Sequence, residues 1–407
     1  MLSILIKKSD FDKLTVLGKH LTISQLADDT AIFMKDYDQL PKILKAIDFF
    51  TKASGLKLNL GKCELLPIHD CNLTTIHNIP VKTTVKYLGI HITKDVDHLA
   101  KLNIWNCLEK TKTLLNSWSQ RDISILGRTF LTKMECISQF IYPAYSLSIP
   151  KDAIKAINQT HFNYIWKGKT HYIKKGTMIQ EYEDGGVKAI DHECINGTVK
   201  INWLRQFLQQ PKQFWFHIPS EIFSKLGGIE FLLRCDYDLN KLSCKFSSFH
   251  QQVLLYWRLI YRHNFSPHIT PLWNCRYVLD KRKSIFLQNC LDKGVWSVLH
   301  LLDCTGYILT FEQFSTKYNI SDERQYKLVI KAIPQAVLLM ASGLCRNGAR
   351  SNLPCILINS YTICDSKLTN VGIRNTFNKE VFPISLPKVP ILNFFSKTTT
   401  QILRSNF

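Results

Sequence analysis

The sequence Gln25-Leu26-Ala27-Asp28-Asp29-Thr30 places two adjacent carboxylates between two short β-prone runs, His20–Leu26 and Thr30–Met34. Runs of this kind separated by a few polar residues are typical of a tight β-hairpin. A hairpin turn exposes both carboxylates at the end of a rigid pair of strands, and carboxylate oxygens are ligands that suit Mg²⁺. Asp28 and Asp29 are therefore candidate metal ligands. Asp is also favoured in turns for its own hydrogen bonding, so the dipeptide alone has a structural alternative.

The residues that follow predict one helix and more strands. Asp36 or Asp38 can cap the helix, and Gly55 can end it. Its apolar side chains repeat at the spacing of one helical face: Leu40, Ile43, Leu44, Ile47 and Phe50. Alternation over Leu56–Leu60 and the β-prone run Val85–Thr93 predict two further strands. The first 95 residues are thus predicted to be a mixed α and β region.

From about Asp97 the hydrophobic period becomes helical. The predicted helices are Leu99–Ser119, Ser124–Leu147, Ala153–Trp166 and a stretch around Val199–Leu208. Aromatic-rich helices are expected after that, and recurrent proline from Pro354 onward predicts loose packing. The fold class predicted is α+β, with four regions: 1–95, a helical region 96–211, a helical carboxyl-terminal region 212–349, and an irregular tail 350–407.

The charge of the chain indicates a polyanionic partner. Its 407 residues include 52 Lys and Arg against 32 Asp and Glu, a net charge of +20. A surplus this large favours RNA or DNA as the partner. Of the 13 cysteines, none forms a C-x-x-C pair or has zinc spacing. An intracellular location, nuclear or cytoplasmic, without a disulfide-linked partner is therefore expected. No apolar run is long enough for a transmembrane helix.

The order of the motifs resembles the palm of reverse transcriptases from LINE-type (non-LTR) retrotransposons. The motifs are Ala27-Asp28-Asp29, Ser54–Glu64 and Val85–Ile90. The resemblance implies that Asp28 and Asp29 are catalytic and bind Mg²⁺. It also implies that Lys62 lies near the incoming nucleotide and that Tyr87, Leu88 and Gly89 grip the primer end. Leu26 departs from the aromatic residue that usually precedes the family motif.

Downstream motifs extend the resemblance to about residues 1–345. Trp118–Arg128 looks like the thumb, and Phe162–Lys169 and Glu183–Val187 look like later markers of the same family. The segment Leu309–Phe314, followed by Lys317-Tyr318, is similar to a more distal one. A solvated helix face is the alternative for any single lysine, and Trp118 and Trp166 are favoured as core anchors. The nucleic-acid contacts predicted in this helical part are Arg121, Arg128, Lys167 and Lys169.

The resemblance also implies an aspartate on an earlier palm strand, facing the Asp28–Asp29 turn. Asp10 and Asp12 are the only acidic residues before Asp28, and their polar surroundings predict a loop. We therefore expect a truncated copy that lacks the endonuclease, the fingers and the first catalytic palm strand, and that is inactive as a polymerase alone.

Two other interpretations stay open at the level of sequence. The chain could be a non-catalytic nucleic-acid-binding protein that uses the basic surface of the thumb. It could also be a pseudogene product without a selected role. Gly127 has two readings as well, because a helical glycine can mark the close approach of another backbone or simply be tolerated.

Overall fold

The computed structural model describes residues 1–209, 213–234, 247–260, 270–346, 357–358, 361–362 and 369–381. The chain forms two compact units. The first contains Met1–Pro143 and Ile149–Lys169, and the second contains Ala144–Ser148 with the described residues from Thr170 onward. No helix in this described part is both long and apolar enough to cross a bilayer.

The first unit starts with hairpins and a helix and continues as helices. The strands pair as separate two-stranded antiparallel ribbons. The elements of its β-rich part are α1 (Leu2–Lys8), β1 (Leu14–Val16), β2 (Lys19–Leu21), β3 (Ile23–Leu26), β4 (Asp29–Ile32), α2 (Leu40–Ser54), β5 (Thr75–Ile76), β6 (Ile79–Pro80), β7 (Thr84–Tyr87) and β8 (Ile90–Thr93). Its helical part contains α3 (Val96–Ala100), α4 (Asn106–Ser119), α5 (Ile125–Leu131), most of α6 (Ser138–Ser146), whose residues from Ala144 belong to the second unit, and α7 (Lys151–Ile165). The predicted α+β fold class is confirmed.

The strand predicted over Val85–Thr93 is wrong, because this stretch is a hairpin. β7 and β8 pair with Tyr87 opposite Ile90, and Leu88 and Gly89 form the turn between them. Both turn residues have positive φ, 48° for Leu88 and 83° for Gly89. A two-residue turn of this kind matches the right-handed twist of its strands, and glycine adopts it without strain.

The strand predicted over Leu56–Leu60 is also wrong. Residues 56–59 form no strand, and Leu60–Lys62 is a single 3₁₀ turn. Leu56 is 63% exposed. An alternating pattern becomes a strand only where another strand offers hydrogen bonds, and these residues pair with none in the described part of the chain.

A small core holds the hairpin that carries the acidic pair. Ile6 of α1, Phe11 and Ile43 of α2 are buried together. The partly buried apolar side chains that pack against them are Leu2, Ile23, Ile32, Met34, Ala46 and Ile47. Ile23 and Ile32 lie opposite each other in the β3–β4 register, so the base of the hairpin is in the core. Residues 25–30 are exposed, and the turn therefore lies outside it.

The three helices predicted from Leu99 to Trp166 are confirmed. α3 and α4 are continuous through one π-helical stretch, and α5 and α6 are continuous through another. Ser124 caps α5, because its hydroxyl accepts the Gly127 N–H at 3.2 Å. A Cβ on Gly127 would lie 2.6 Å from Cγ2 of Ile123, so a protein side chain makes the close approach there.

The second unit is mainly helical. Its elements are α8 (Lys175–Ile179), α9 (His192–Leu208), α10 (Phe214–Ser224), α11 (Ile229–Arg234), α12 (Ser248–Ile260), β9 (Leu279–Asp280), β10 (Lys283–Ser284), α13 (Gln288–Asp292), α14 (Phe311–Tyr318), α15 (Glu323–Ala332), α16 (Gln335–Arg346), β11 (Leu357–Ile358), β12 (Tyr361–Thr362) and α17 (Asn370–Val381). Ile373 and Phe377 of α17 are buried in its large core. This corrects the expectation of an irregular tail for that helix; most of the remainder of 350–407 lies outside the described residues.

Lys200 of α9 is buried in the second unit without a carboxylate partner among the described residues. Its ammonium donates hydrogen bonds to the carbonyl oxygens of Ala144 and Leu147, the latter at 2.7 Å, and lies 4.1 Å from the centre of the Phe249 ring. Burial lowers the pKa of Lys200 to about 7. Burial first, and the Lys200 charge second, also lower the pKa of His250 to about 4.

The buried lysine predicts a stability that rises with pH. An unfolded lysine has a pKa near 10.5, so between pH 7 and 10.5 the unfolded chain binds more protons than the native one. We expect the free energy of unfolding to increase by roughly 1.5 kcal/mol between pH 7 and 8.5, relative to a Lys200→Met variant. Urea unfolding at several pH values measures the difference, and equal pH slopes for the two proteins would contradict the shift.

Candidate metal-binding hairpin and nucleic-acid interface

The β3–β4 hairpin presents both candidate carboxylates to solvent. Leu26 pairs with Asp29, so Ala27 and Asp28 form the two-residue turn and Asp29 begins β4. Asp28 and Asp29 are both exposed. Ala27 has φ 53°, a left-handed conformation that costs an L-residue about 1 kcal/mol. The predicted hairpin is thus confirmed, and its turn is held in a strained backbone by the core at its base.

The donor set fits part of a divalent-metal site. Two adjacent carboxylates supply the hard oxygen ligands that Mg²⁺ and Mn²⁺ prefer. Within the described ranges, however, no three His, Cys, Asp or Glu side chains come together as a possible metal site. Asp12 lies elsewhere, with its carboxylate accepting a hydrogen bond from Gln39 Nε2 at 3.2 Å. Asp28 and Asp29 are therefore two adjacent carboxylates without a third acidic side chain beside them among these residues.

A hydrogen bond joins the Tyr87-Leu88-Gly89 hairpin to the acidic hairpin. The Tyr87 hydroxyl lies 2.9 Å from Oγ of Ser24 and 3.2 Å from the Ser24 carbonyl oxygen. Ser24 is in β3, paired with Ala31 and four residues before Asp28. Two motifs that are about 60 residues apart in the chain are thereby placed side by side.

The turn of the second hairpin is held from its other side by α6. The Tyr142 hydroxyl donates to the Leu88 carbonyl at 2.6 Å. A Cβ built on Gly89 would lie 3.5 Å from Cε1 of the Tyr142 ring, so the ring packs against the glycine. Sequence reasoning missed Ser24 and Tyr142, because neither stands in a motif and no local pattern marks a contact over 54 residues.

The predicted nucleic-acid contacts of the thumb-like helices fall into two neighbouring segments. We call Arg121, Arg128, Lys167 and Lys169 the basic corner. Lys167 makes an ion pair of 2.9 Å with Asp122, which joins the segment after α4 to the end of α7. The hydrogen bond and charge of Lys167 lower the pKa of Asp122.

The four basic side chains differ in what they contact. The Arg121 guanidinium lies 4.4 Å from the centre of the half-buried Trp118 ring and is otherwise exposed. Arg128 is partly buried and donates to the carbonyls of Ile123 and Ile165, at 2.6 Å for the latter. Arg128 therefore ties α5 to α7, and its predicted contact with nucleic acid stays a prediction. Lys169 is exposed.

The remaining predicted residues have simpler surroundings. Lys62 is the last residue of the 3₁₀ turn and is exposed, with no ion-pair partner among the residues that the structure describes. The core assignment of Trp166 is confirmed, since it is 7% exposed. Trp118 packs at the margin of a cluster formed by Leu115, Cys136 and Tyr164.

Comparison with known proteins agrees with this arrangement. Residues 4–92 match the family described as Reverse transcriptase (RNA-dependent DNA polymerase), a range that includes both hairpins. The chain is 20% identical over 261 residues to the Transposon TX1 uncharacterized 149 kDa protein of Xenopus laevis, which covers 59% of this chain and 19% of that protein. It is 22% identical over 115 residues to the Putative ribonuclease H protein At1g65750 of Arabidopsis thaliana, over 26% of this chain and 18% of that protein.

The chain thus spans about a fifth of the length of the curated relatives that it matches. The matched range ends inside β8, one residue before the end of the second hairpin. Proteins of the matched family generally use divalent metal ions, in agreement with two exposed carboxylates on the first hairpin. Residues 4–92 are therefore a reverse-transcriptase region, of the kind that LINE-type (non-LTR) retrotransposons encode.

Proposed function

We propose that this chain supplies one acidic side of an RNA-directed DNA polymerase centre and a basic surface for its template and primer. The observation that carries the proposal is the pair of exposed carboxylates on a hairpin tied, through Tyr87, to a second hairpin within the matched range. Asp28 and Asp29 are the proposed ligands of Mg²⁺. RNA or DNA is the proposed partner, and a net charge of +20 supports it.

The proposed chemistry is nucleotidyl transfer to a primer 3′-hydroxyl. A divalent metal, when bound, stabilises the negative charge that develops on the phosphoryl oxygens. The residues of this chain bind the cation, the nucleotide and the primer. Asp28 and Asp29 hold the cation, Lys62 offers an ammonium to a phosphate, and the Leu88–Gly89 turn supports the primer end. Arg121, Lys167 and Lys169 attract the phosphate backbone.

We further propose that the described residues are insufficient for polymerisation. A two-metal centre clamps the attacking and leaving oxygens between ions about 3.5–4 Å apart, and two carboxylates from one turn reach it from one side only. A further acidic ligand would have to come from outside the described residues. Polymerase activity from the described residues alone is accordingly not expected.

Metal titration and primer extension test the proposal separately. We expect weak Mn²⁺ binding, followed by paramagnetic relaxation of water protons, that falls about tenfold or more in Asp28→Asn. Asp10→Asn is the matched control, since it removes an exposed carboxylate from the same unit. Unchanged Mn²⁺ binding in Asp28→Asn would overturn the metal assignment. Robust Asp28-dependent primer extension on an RNA template would overturn the need for a further ligand.

A second candidate function is non-catalytic binding of nucleic acid. The basic corner favours it, because three of its side chains are exposed on adjoining segments. Two results together would favour this function over the first. The Asp28→Ala and Asp29→Ala variants would still bind RNA or DNA in a salt-dependent way, and the unsubstituted chain would not bind Mn²⁺.

A further inference from the structure

Tyr87 and Tyr142 hold one turn from two sides. Tyr87 precedes the turn and its hydroxyl reaches Ser24 of β3, while Tyr142 of α6 donates to the carbonyl of Leu88 within the turn. Each hydroxyl makes a contact far away in sequence, over 63 and 54 residues. The Leu88–Gly89 turn is thus fixed both to the hairpin that carries Asp28 and to a helix.

The Tyr87 hydroxyl is the donor in its contact with Ser24. Its one proton faces two acceptors of the same residue, Oγ at 2.9 Å and the carbonyl oxygen at 3.2 Å. Tyr87 and Ser24 are both half-buried, so their hydrogen bond is partly shielded from competing water.

The Tyr142 contact acts on a backbone that needs support. Leu88 has φ 48°, which a leucine rarely adopts without help from its surroundings. The hydrogen bond of 2.6 Å to its carbonyl and the ring against Gly89 both favour this conformation. Without the hydroxyl, the turn loses one of its two long-range attachments.

We propose that Tyr142 and the Ser24–Tyr87 pair are positioning residues that hold the Leu88–Gly89 turn, and the primer end bound there, at a set distance from Asp28 and Asp29. This rests on the proposed function, in which that turn supports the primer. Tyr142 and Ser24 do not contact reacting atoms in this proposal. They act through the backbone of the turn and of β3.

The first test uses the free protein and needs no activity. We expect Tyr142→Phe to accelerate hydrogen exchange of the peptide that spans residues 84–93 by about fivefold, as loss of one net hydrogen bond predicts. Tyr145→Phe is the control, because Tyr145 lies on the same helix and is 41% exposed. Ser24→Ala and Tyr87→Phe should be non-additive in a double-mutant cycle of the same exchange rate. Unchanged exchange in Tyr142→Phe, or full additivity of Ser24→Ala and Tyr87→Phe, would overturn the proposal.

The second test distinguishes positioning from a merely structural role. A primer–template with a photoreactive 3′-terminal nucleotide is bound at saturating protein, and the yield of crosslinks to the peptide 84–93 is measured. We expect this yield to fall at least about threefold in Tyr142→Phe and Ser24→Ala, while affinity by fluorescence anisotropy changes less than twofold. Equal yields in all variants would overturn positioning. Absence of duplex binding by the unsubstituted chain would instead overturn the proposed function, and the exchange test would still decide how the turn is held.

Discussion

Replacement of Arg121, Lys167 and Lys169 together by glutamate should reduce the affinity for an RNA–DNA duplex by about 100-fold or more at moderate salt. The three side chains belong to segments that the Lys167–Asp122 ion pair holds together, so they present their charge on one corner of the first unit. Loss of three phosphate contacts also lowers the salt slope of log K against log[salt] by about 2 to 3. Anisotropy titrations from 50 to 300 mM salt measure both quantities.

A second triple variant tests whether the loss of duplex affinity comes from the changed net charge alone. Lys281 and Arg282 form the turn between β9 and β10, and Lys283 begins β10; all three are exposed. Their replacement by glutamate changes the net charge by the same amount in the other unit. We expect this control to lose less than about fivefold in affinity, through long-range repulsion that salt screens. Equal losses in the two triple variants would show that the basic corner is not a binding site.

Gly186→Ala should destabilise the second unit by about 3 kcal/mol or more, because the added methyl has no space. A Cβ at this position would lie 1.9 Å from the Gln180 carbonyl oxygen, a backbone atom that cannot rotate away. The segment is locked there, since Val187 N–H donates to the Met178 carbonyl and Lys188 N–H donates to that of Gln180. Urea unfolding followed by tryptophan fluorescence measures the loss.

A second glycine separates the steric effect from backbone strain. Gly294, also in the second unit, has φ 79° and open space around the position of a Cβ. Gly294→Ala should therefore cost only about 1 kcal/mol, the usual penalty of the left-handed conformation. A Gly186→Ala variant no less stable than Gly294→Ala would contradict the predicted clash.

Several features of the fold were predictable because their signals are local. The β3–β4 hairpin follows from β-prone runs on both sides of Asp28 and Asp29, and register then places the acidic pair at the turn. The Ser124 cap and the helices that follow were predictable for the same reason, since period and capping depend on residues a few positions apart. The charge surplus and motif order were sufficient for the family of residues 4–92.

Predictions of secondary structure were wrong where the outcome depends on contacts with residues distant in the sequence. Leu56–Leu60 alternates like a strand, but no described strand pairs with it. Continuous β-propensity through Leu88 predicts one strand over Val85–Thr93, whereas the chain reverses at Leu88 and Gly89. Helix α17 was missed since Ile373 and Phe377 are buried by distant residues of the second unit, among surroundings with weak local signals.

The amino-acid sequence by itself therefore determined the acidic hairpin, the helical periods, the basic surplus and the kinship of the amino-terminal region, because each is written in residue types at short spacing. Only the tertiary structure decided that Tyr87 meets Ser24, that Tyr142 holds the Leu88 carbonyl, and that Arg128 serves α5 and α7 rather than solvent alone. These contacts join residues between 37 and 63 positions apart. Packing of whole elements brings such residues together, and no local pattern of side chains encodes which distant atom a hydroxyl or guanidinium will reach.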